Sequence, residues 1–440
     1  MIFTVKNFLK RNTVKNISFL ILENFVRLGL GFFVSVFVAR HLGPQAYGHF
    51  NYVISFVFLF IPFYVFGIDE VMIKDLVEKQ KENDVILATA FFMKLFGGIV
   101  AILCCVMSSL FILDMATDVR YCIWGFSFIM LLRSMDVVDN WYQSIVCIKK
   151  ISFVRMFTIV VVGLMKVLLV YWEKDWRYFV YISAVEIVIT ECLYLMLYKK
   201  DYGKLFFNKL LFSFNKAKKY FTVAYPIIFI MFLNFALARI DHIMIGSMLG
   251  AESLGKYAVA VKLVDIWQFL PFAMINSLFP AIVEMRHKKN EGEYLLKVKR
   301  LYAVLLWPAL LFIGCVTFLA TPLVNFLYGE AYAGAGSLLA LYSWVTLFTF
   351  FTYARTKIFT IENAIKDGAW LALWAVILNI IFNYYLLQVY ATKGAIFASL
   401  LAYFFSTIIM CFKSSAVRRN TLRYLMAIYL PWQIFTSKEK

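Results

Sequence analysis

From residue 17 onward, long apolar runs alternate with short polar or Gly/Pro-marked breaks. The runs fall at about 17–38, 50–72, 86–112, 121–142, 153–172, 178–198, 222–248, 257–283, 301–327, 337–356, 369–390 and 394–412. Crossing a ~30 Å hydrocarbon layer takes about 20 apolar residues as a helix, so the pattern predicts an all-α polytopic membrane protein with twelve transmembrane helices. Backbone groups in lipid must bond within their own segment, which excludes an open sheet.

The breaks set the orientation. Of 44 Lys and Arg, 31 lie at the N terminus, in the breaks near 74–85, 143–152, 199–220, 284–300 and 355–368, and in the tail from 413. The alternate breaks hold 6, namely Arg40, Arg120, Lys174, Arg177, Lys256 and Lys393. The rich side is cytoplasmic by the positive-inside rule, and so are both termini. The longest basic break, KKDYGKLFFNKLLFSFNKAKKY, divides the chain into an N-terminal six-helix lobe (1–198), a cytoplasmic connector (199–221) and a C-terminal six-helix lobe (222–412). The tail, 413–440, includes LRYLMAIYLPWQIF flanked by Arg418, Arg419 and Arg423, the composition of an amphipathic interfacial helix.

One motif occurs twice. LGAESLGKY, Leu249 to Tyr257, nearly spells the phosphate-binding G-x-x-x-x-G-K-[ST] loop, but Tyr257 stands where a magnesium-holding hydroxyl is needed. LGPQAYGHF, Leu42 to Phe50, repeats the L-G-x4-G 207 residues earlier without the lysine. The pair therefore reads as two outside turns of about eight residues, one between the first two helices of each lobe. An offset of one lobe, six spans, keeps both lobes in the same orientation and makes a parallel repeat.

Composition agrees. The 440 residues are 63% hydrophobic and 19% aromatic, with a mean hydropathy of +0.78, against 45 to 50% apolar in soluble domains. Lys6, Lys10, Arg11 and Lys15 precede a full first span without a small-residue cleavage site, so no cleaved secretory signal is expected. Seven cysteines and four histidines show no disulfide or metal spacing, so neither metal nor cofactor is expected. The net charge of +18 suits the cytoplasmic leaflet and an anionic cargo, not nucleic acid.

ENFVRLGLGFFVSVFVARHLGPQAYGHF, Glu23 to Phe50, and DNWYQSIVCIKKISFVRMFTIVVVGLMKVLLV, Asp139 to Val170, resemble the first, fourth and fifth spans of Wzx-type O-antigen and polysaccharide flippases of the MOP (MATE-like) transporter superfamily. The resemblance runs through most of the chain as span order and repeat, and its specific motif is the turn Ala39 to Gly48. It implies a V-shaped pair of lobes around a central cavity in the inner (cytoplasmic) membrane. It also implies alternating access and transfer of undecaprenyl-diphosphate-linked oligosaccharide between leaflets. Membrane lipid and other glycan-assembly membrane proteins, a polymerase or chain-length regulator, would be its partners.

Seven basic residues lie within spans, where each costs about 2.5 to 3.5 kcal/mol on insertion scales. Arg27, Lys94, Arg133, Lys166, Arg239 and Lys262 sit deep enough to bind an anionic head group, whereas Arg155, one residue inside its span, is expected to snorkel. Ion pairing between helices is the competing reading for each, and Glu23 stands four residues before Arg27. Asp69, Asp136, Asp139 and Asp241 are candidates for ion coupling, as are Glu186, Glu191 and Asp265. Trp141, Tyr142, Trp267 and Trp344 read as interface belts in preference to sugar-stacking residues.

A membrane glycan polymerase would carry a sizeable external loop, and the outside breaks are all about eleven residues or fewer. A cation/drug antiporter would want an acidic cavity. An enzyme is not expected.

Overall fold

The computed structural model describes residues 2–112, 115–203, 211–288 and 290–427, which are helical with no strand among them. Two compact units divide the chain, Met1–Leu42 with His49–Arg239 and Gly43–Gly48 with Ile240–Lys440. Most of the first is built from α1 (Ile2–Phe58), α2 (Ile61–Val65), α3 (Asp69–Glu78), α4 (Asn83–Phe111), α5 (Thr117–Ser127), α6 (Ile129–Leu132), α7 (Val137–Ser144), α8 (Ile148–Tyr171) and α9 (Trp176–Tyr202). α10 (Phe214–Met248) passes from the first unit into the second. There it is followed by α11 (Ala251–Trp267), α12 (Phe269–His287), α13 (Glu291–Tyr328), α14 (Ala335–Tyr342), α15 (Val345–Ile361), α16 (Ile365–Tyr390), α17 (Thr392–Lys413) and α18 (Ser415–Met426).

Eleven helical stretches among the described residues are long and apolar enough to span a bilayer. The first, Leu22–Glu78, is two spans, because Gly43 breaks α1 at φ 69°, ψ 174°. That yields the twelve spans of the hydropathy pattern. The helices run past their apolar windows; α10, for example, starts at Phe214, eight residues before the apolar window does. Charged side chains end a hydropathy window but not a helix, since Lys and Arg stems lie along its surface.

The repeated motif is a tighter turn than expected. One residue leaves the helix, and Pro44 through Gly48 already form the first turns of the next. Gly250, 207 residues on, caps α11 at φ 85°, ψ 172°, with Ala251 in the place of Pro44. Both dihedral pairs belong to a region open almost solely to glycine. Pro44 fits the first helical position because the N–H it lacks would be unbonded there anyway. Lys256, in the lysine position of the nucleotide-like motif, sits within α11 and pairs with Glu252 at 2.7 Å.

Four spans are broken midway. The second breaks at Phe60 and again between α2 and α3, the fourth passes through a 3₁₀ turn at Arg133–Asp136, the eighth breaks at Gln268 and the tenth at Ser343. Adding 207 carries Phe60 to Trp267 and Asp136 to Ser343, so the second and eighth spans, and the fourth and tenth, break at equivalent places. Local bonds hold the backbone there, Phe60 N–H to the Val57 carbonyl at 3.1 Å and Ser343 N–H to that of Leu339 at 2.9 Å. Interrupted helices at matching positions of two repeats are a pointer to a transporter's binding residues.

α18 covers the beginning of the basic tail; residues 428–440 lie outside the described residues. One face docks on the second unit. Glu362 Oε1 accepts from Arg423 at 2.7 Å and from Tyr294 Oη at 2.9 Å, Asn420 Nδ2 reaches Glu362 Oε2 at 3.2 Å, and Tyr424 Oη donates to the Leu347 carbonyl at 3.0 Å. The opposite face exposes Arg418, Arg419, Leu422 and Leu425. Burial alone would raise the Glu362 carboxyl, but bonds from Arg423, Tyr294 and Asn420 outweigh it and hold the group below its ordinary value of 4.5. A depressed carboxylate stabilises fully above its unfolded value, so docking weakens as the pH falls through the lowered folded value. Glu362→Gln should cost about 1 to 3 kcal/mol locally. Faster amide exchange across residues 415–427, with the transmembrane helices unchanged, is the expected readout.

Candidate functional site

The broken spans of the first unit bring charges into its interior. The interruption between α2 and α3 leaves Asp69 at the first position of α3, where an acid suits the helix N-terminus. Asp69 Oδ1 accepts from Lys94 Nζ of α4 at 2.6 Å and from Asn140 Nδ2 of α7 at 2.6 Å. The 3₁₀ turn of the fourth span places Arg133 Nη1 3.4 Å from Asp136 and 3.5 Å from Glu191 of α9. Arg155 of α8 reaches Glu23 of α1 at 3.2 Å, Tyr194 Oη at 2.9 Å, and Asp139.

These three adjoining groups hold five carboxylates, Glu23, Asp69, Asp136, Asp139 and Glu191, against the cations Lys94, Arg133 and Arg155. Glu191 is 1% exposed and neither of its oxygens has a hydrogen-bond partner, and Oε2 of Glu23 is equally unsatisfied. Fully ionised, the cluster carries two negative charges in excess, an expensive state away from water. Two protons would bring it to neutrality.

Arg155 does not snorkel. α8 starts at Ile148, five residues before the predicted span, which puts Arg155 two turns inside. Glu23 then pairs with Arg155, not with Arg27. Arg27 is exposed and donates to Asn24 Oδ1 at 2.6 Å. Arg239 is half-buried with its guanidinium 5.8 Å from the Phe58 ring centroid. Among the described residues neither has a carboxylate within 4 Å. Lys166 is 3.5 Å from Glu186, and Lys262 is half-buried in α11.

Asp241 belongs to a separate cluster in the second unit. It accepts from Tyr257 Oη at 3.0 Å, Ser399 Oγ at 2.7 Å and Asn383 Nδ2 at 2.8 Å, and Asn379 Nδ2 donates to Ser399 Oγ at 3.1 Å. Oδ1 of Asn383 is left without a partner. Neither Asn379 nor Asn383 stood out in the sequence, although two Asn four residues apart in an apolar run are the available signal. Among the described residues no three His, Cys, Asp or Glu side chains converge as a metal centre requires.

Residues 13–286, more than half of the chain, match the family described as polysaccharide biosynthesis protein. The chain belongs to that family. An uncharacterized membrane protein of Methanocaldococcus jannaschii is 20% identical over 422 residues, covering 90% of this chain and 82% of that one. The fold is shared with a lipid II flippase, MurJ, in an inward closed conformation (TM-score 0.66, 14% identity, 96% of this chain and 94% of that one). It is shared equally with an inward-facing multidrug resistance MATE transporter (TM-score 0.67, 11% identity, 96% and 100%). The sequence match thus shows the family, and the likeness to these structures shows the fold.

Proposed function

We propose that this member of the polysaccharide biosynthesis family is a flippase. It moves an undecaprenyl-diphosphate-linked oligosaccharide, an O-antigen-like repeat unit, from the cytoplasmic to the outer leaflet of the inner membrane by alternating access. The two six-helix lobes, 1–198 and 222–412, act as its moving bodies, with the connector and tail cytoplasmic. The family and the lipid II flippase fold support a lipid-linked cargo.

The observation that carries the cargo's charge is the contrast among the intramembrane cations. Lys94, Arg133, Arg155 and Lys166 are neutralised by carboxylates, whereas Arg27 and Arg239 are not. A guanidinium kept inside a span with no counter-charge suits a diphosphate, which it can meet with two parallel hydrogen bonds. Lys262 joins the cargo-binding set, and Lys94, Arg133 and Lys166 contribute when their pairs open.

Transfer of about two negative charges out of a negative cytoplasm gains roughly 4 to 5 kcal/mol per 100 mV. Return of the empty carrier falls to the acids, Asp69, Asp136 and Asp139 in the first unit and Asp241 in the second. The excess of carboxylates also favours a second reading, MATE-like antiport of a cationic drug. Arg239→Ala separates the two. In proteoliposomes with a fluorescent lipid-linked oligosaccharide, flipping should fall about 10- to 100-fold, the worth of one charge-assisted bond, with partial retention in Arg239→Lys. An unchanged rate, or accelerated export of a cationic dye, would favour the antiporter.

A further inference from the structure

Among the described residues, Arg355 is the most deeply buried arginine that the flippase reading leaves unused. It is 2% exposed, its Nη1 has no partner, and Nη2 has only Thr352 Oγ1 at 3.4 Å. Hydropathy counted it with the connection after the tenth span, but α15 continues to Ile361 and places Arg355 about three turns from its N-terminal end and six residues from its C-terminal end. Among the described residues no carboxylate lies within 4 Å. The neighbouring acid, Glu362, is already engaged by Arg423, Tyr294 and Asn420.

What surrounds the guanidinium is aromatic. The Phe351 and Phe359 ring centroids lie 4.6 and 5.9 Å away, and Tyr302 packs edge-on against Phe351 at 5.5 Å. Ring faces attract a cation but do not neutralise it. A buried charge without a counter-charge is strongly unfavourable, so the arrangement is incomplete without an anion.

The same seam leads to an apolar groove. Phe348 stands seven residues before Arg355 on α15, and Phe404 seven before Cys411 on α17, so both pairs share a helical face about 10 Å apart along the axis. Leu341, Trp344, Phe348, Leu400, Leu401 and Phe404 line a groove of about 370 Å³. Phe348 stacks on Tyr403 at 5.8 Å and 11°, so an aromatic pair ties α15 to α17 at the groove, on the α15 face that carries Arg355.

We propose that the α15–α17 seam is a docking site for the carrier lipid, with a phosphate of the polyprenyl diphosphate on Arg355 and the first isoprene units in the groove. The assignment rests on the flippase reading above for the identity of the lipid. Charge complementarity argues for the phosphate end, and a groove lined by Leu, Phe and Trp argues for a hydrocarbon chain rather than sugar. On the cytoplasmic side, where α15 ends, the site would hold cargo before its head group meets Arg27 and Arg239. Entry parts the rings that now sandwich the guanidinium.

The test uses the full chain in nanodiscs with a photoreactive polyprenyl diphosphate that carries no sugar, and peptide mapping of the adducts. Adducts on α15 and α17 are expected, falling at least about tenfold in Arg355→Met, the loss of one charge-assisted bond. Arg355→Lys should retain labelling, and Leu401→Trp, which fills the groove, should lose it without touching the cation. Since Arg355→Met removes an uncompensated charge, its lipid-free melting temperature should equal or exceed that of the parent. Excess phosphatidylglycerol should leave the adducts in place. Adducts displaced by phosphatidylglycerol would make the seam a phospholipid site, and adducts unaffected by both Arg355→Met and Leu401→Trp would place the lipid elsewhere; either overturns the proposal. Because the probe has no glycan, these outcomes are independent of oligosaccharide flipping by the Arg239 variants.

Discussion

Gly48→Ala and Gly255→Ala are each expected to cost about 3 kcal/mol or more, at or above the upper end of ordinary overpacking. A Cβ built on Gly48 would lie 1.8 Å from the Ala251 carbonyl oxygen and 2.6 Å from its carbon, and one on Gly255 would lie 1.9 and 2.7 Å from the same atoms of Pro44. The obstacle in both cases is backbone, which has no rotamer to give. These contacts are reciprocal under the 207-residue offset, since Pro44 corresponds to Ala251 and Gly48 to Gly255. Within the second compact unit, then, the two copies of the motif pack turn against turn about a local two-fold relation. Thermal unfolding in detergent should show a marked fall for either variant. Gly314→Ala, where nothing lies within 4 Å and helix propensity favours alanine, should be neutral or stabilising. Equal melting temperatures for Gly48→Ala and Gly314→Ala would contradict the close approach.

The motif shows how far the sequence could be read. Its glycines identify turns because Gly43 and Gly250 need a conformation that other residues resist, and that is a local property. The second glycine of each copy is there for a different reason, an approach between segments 207 residues apart, which spacing cannot reveal. The twelve spans and the repeat were legible for a similar reason, as lipid imposes one rule on every segment. The interruptions at Arg133–Asp136 and Ser343 were not, because neither contains the Gly or Pro that usually marks a break. They follow from how helices pack in each unit.

Ion pairing was legible only in part. Lys94 finds Asp69 and Arg155 finds Glu23 across 25 and 132 residues, beyond any i, i+4 rule. Boundaries mattered more than pairing rules. An early start of α8 turns Arg155 from a surface residue into the centre of a network, and a late end of α15 turns Arg355 from a loop cation into a buried one. In both cases hydropathy underestimated the helix because a basic side chain closed the window.

Asp69→Asn is expected to be among the most damaging single changes in the transmembrane region, by about 3 to 5 kcal/mol, because it strands the Lys94 ammonium. Lys94 is 2% exposed, so its charge has no route to water, whereas Asp69 is 37% exposed in its side chain and keeps the Asn140 amide when Lys94 is removed. Lys94→Met should therefore cost less, about 1 to 2 kcal/mol. The double variant, with both charges gone, should return to within about 1 kcal/mol of the parent, giving a coupling of at least about 3 kcal/mol from the thermodynamic cycle. A double variant no more stable than Asp69→Asn would show that the pair is not the source of the loss. The same variants separate structure from transport. Since Asp69 is proposed to take up the coupling ion, the stable double variant should flip cargo down its own gradient but no longer respond to an imposed pH or sodium gradient. A gradient response equal to the parent's would confine Asp69 to holding Lys94, leaving coupling to Asp136 with Glu191, where a carboxylate pair lacks a full complement of donors.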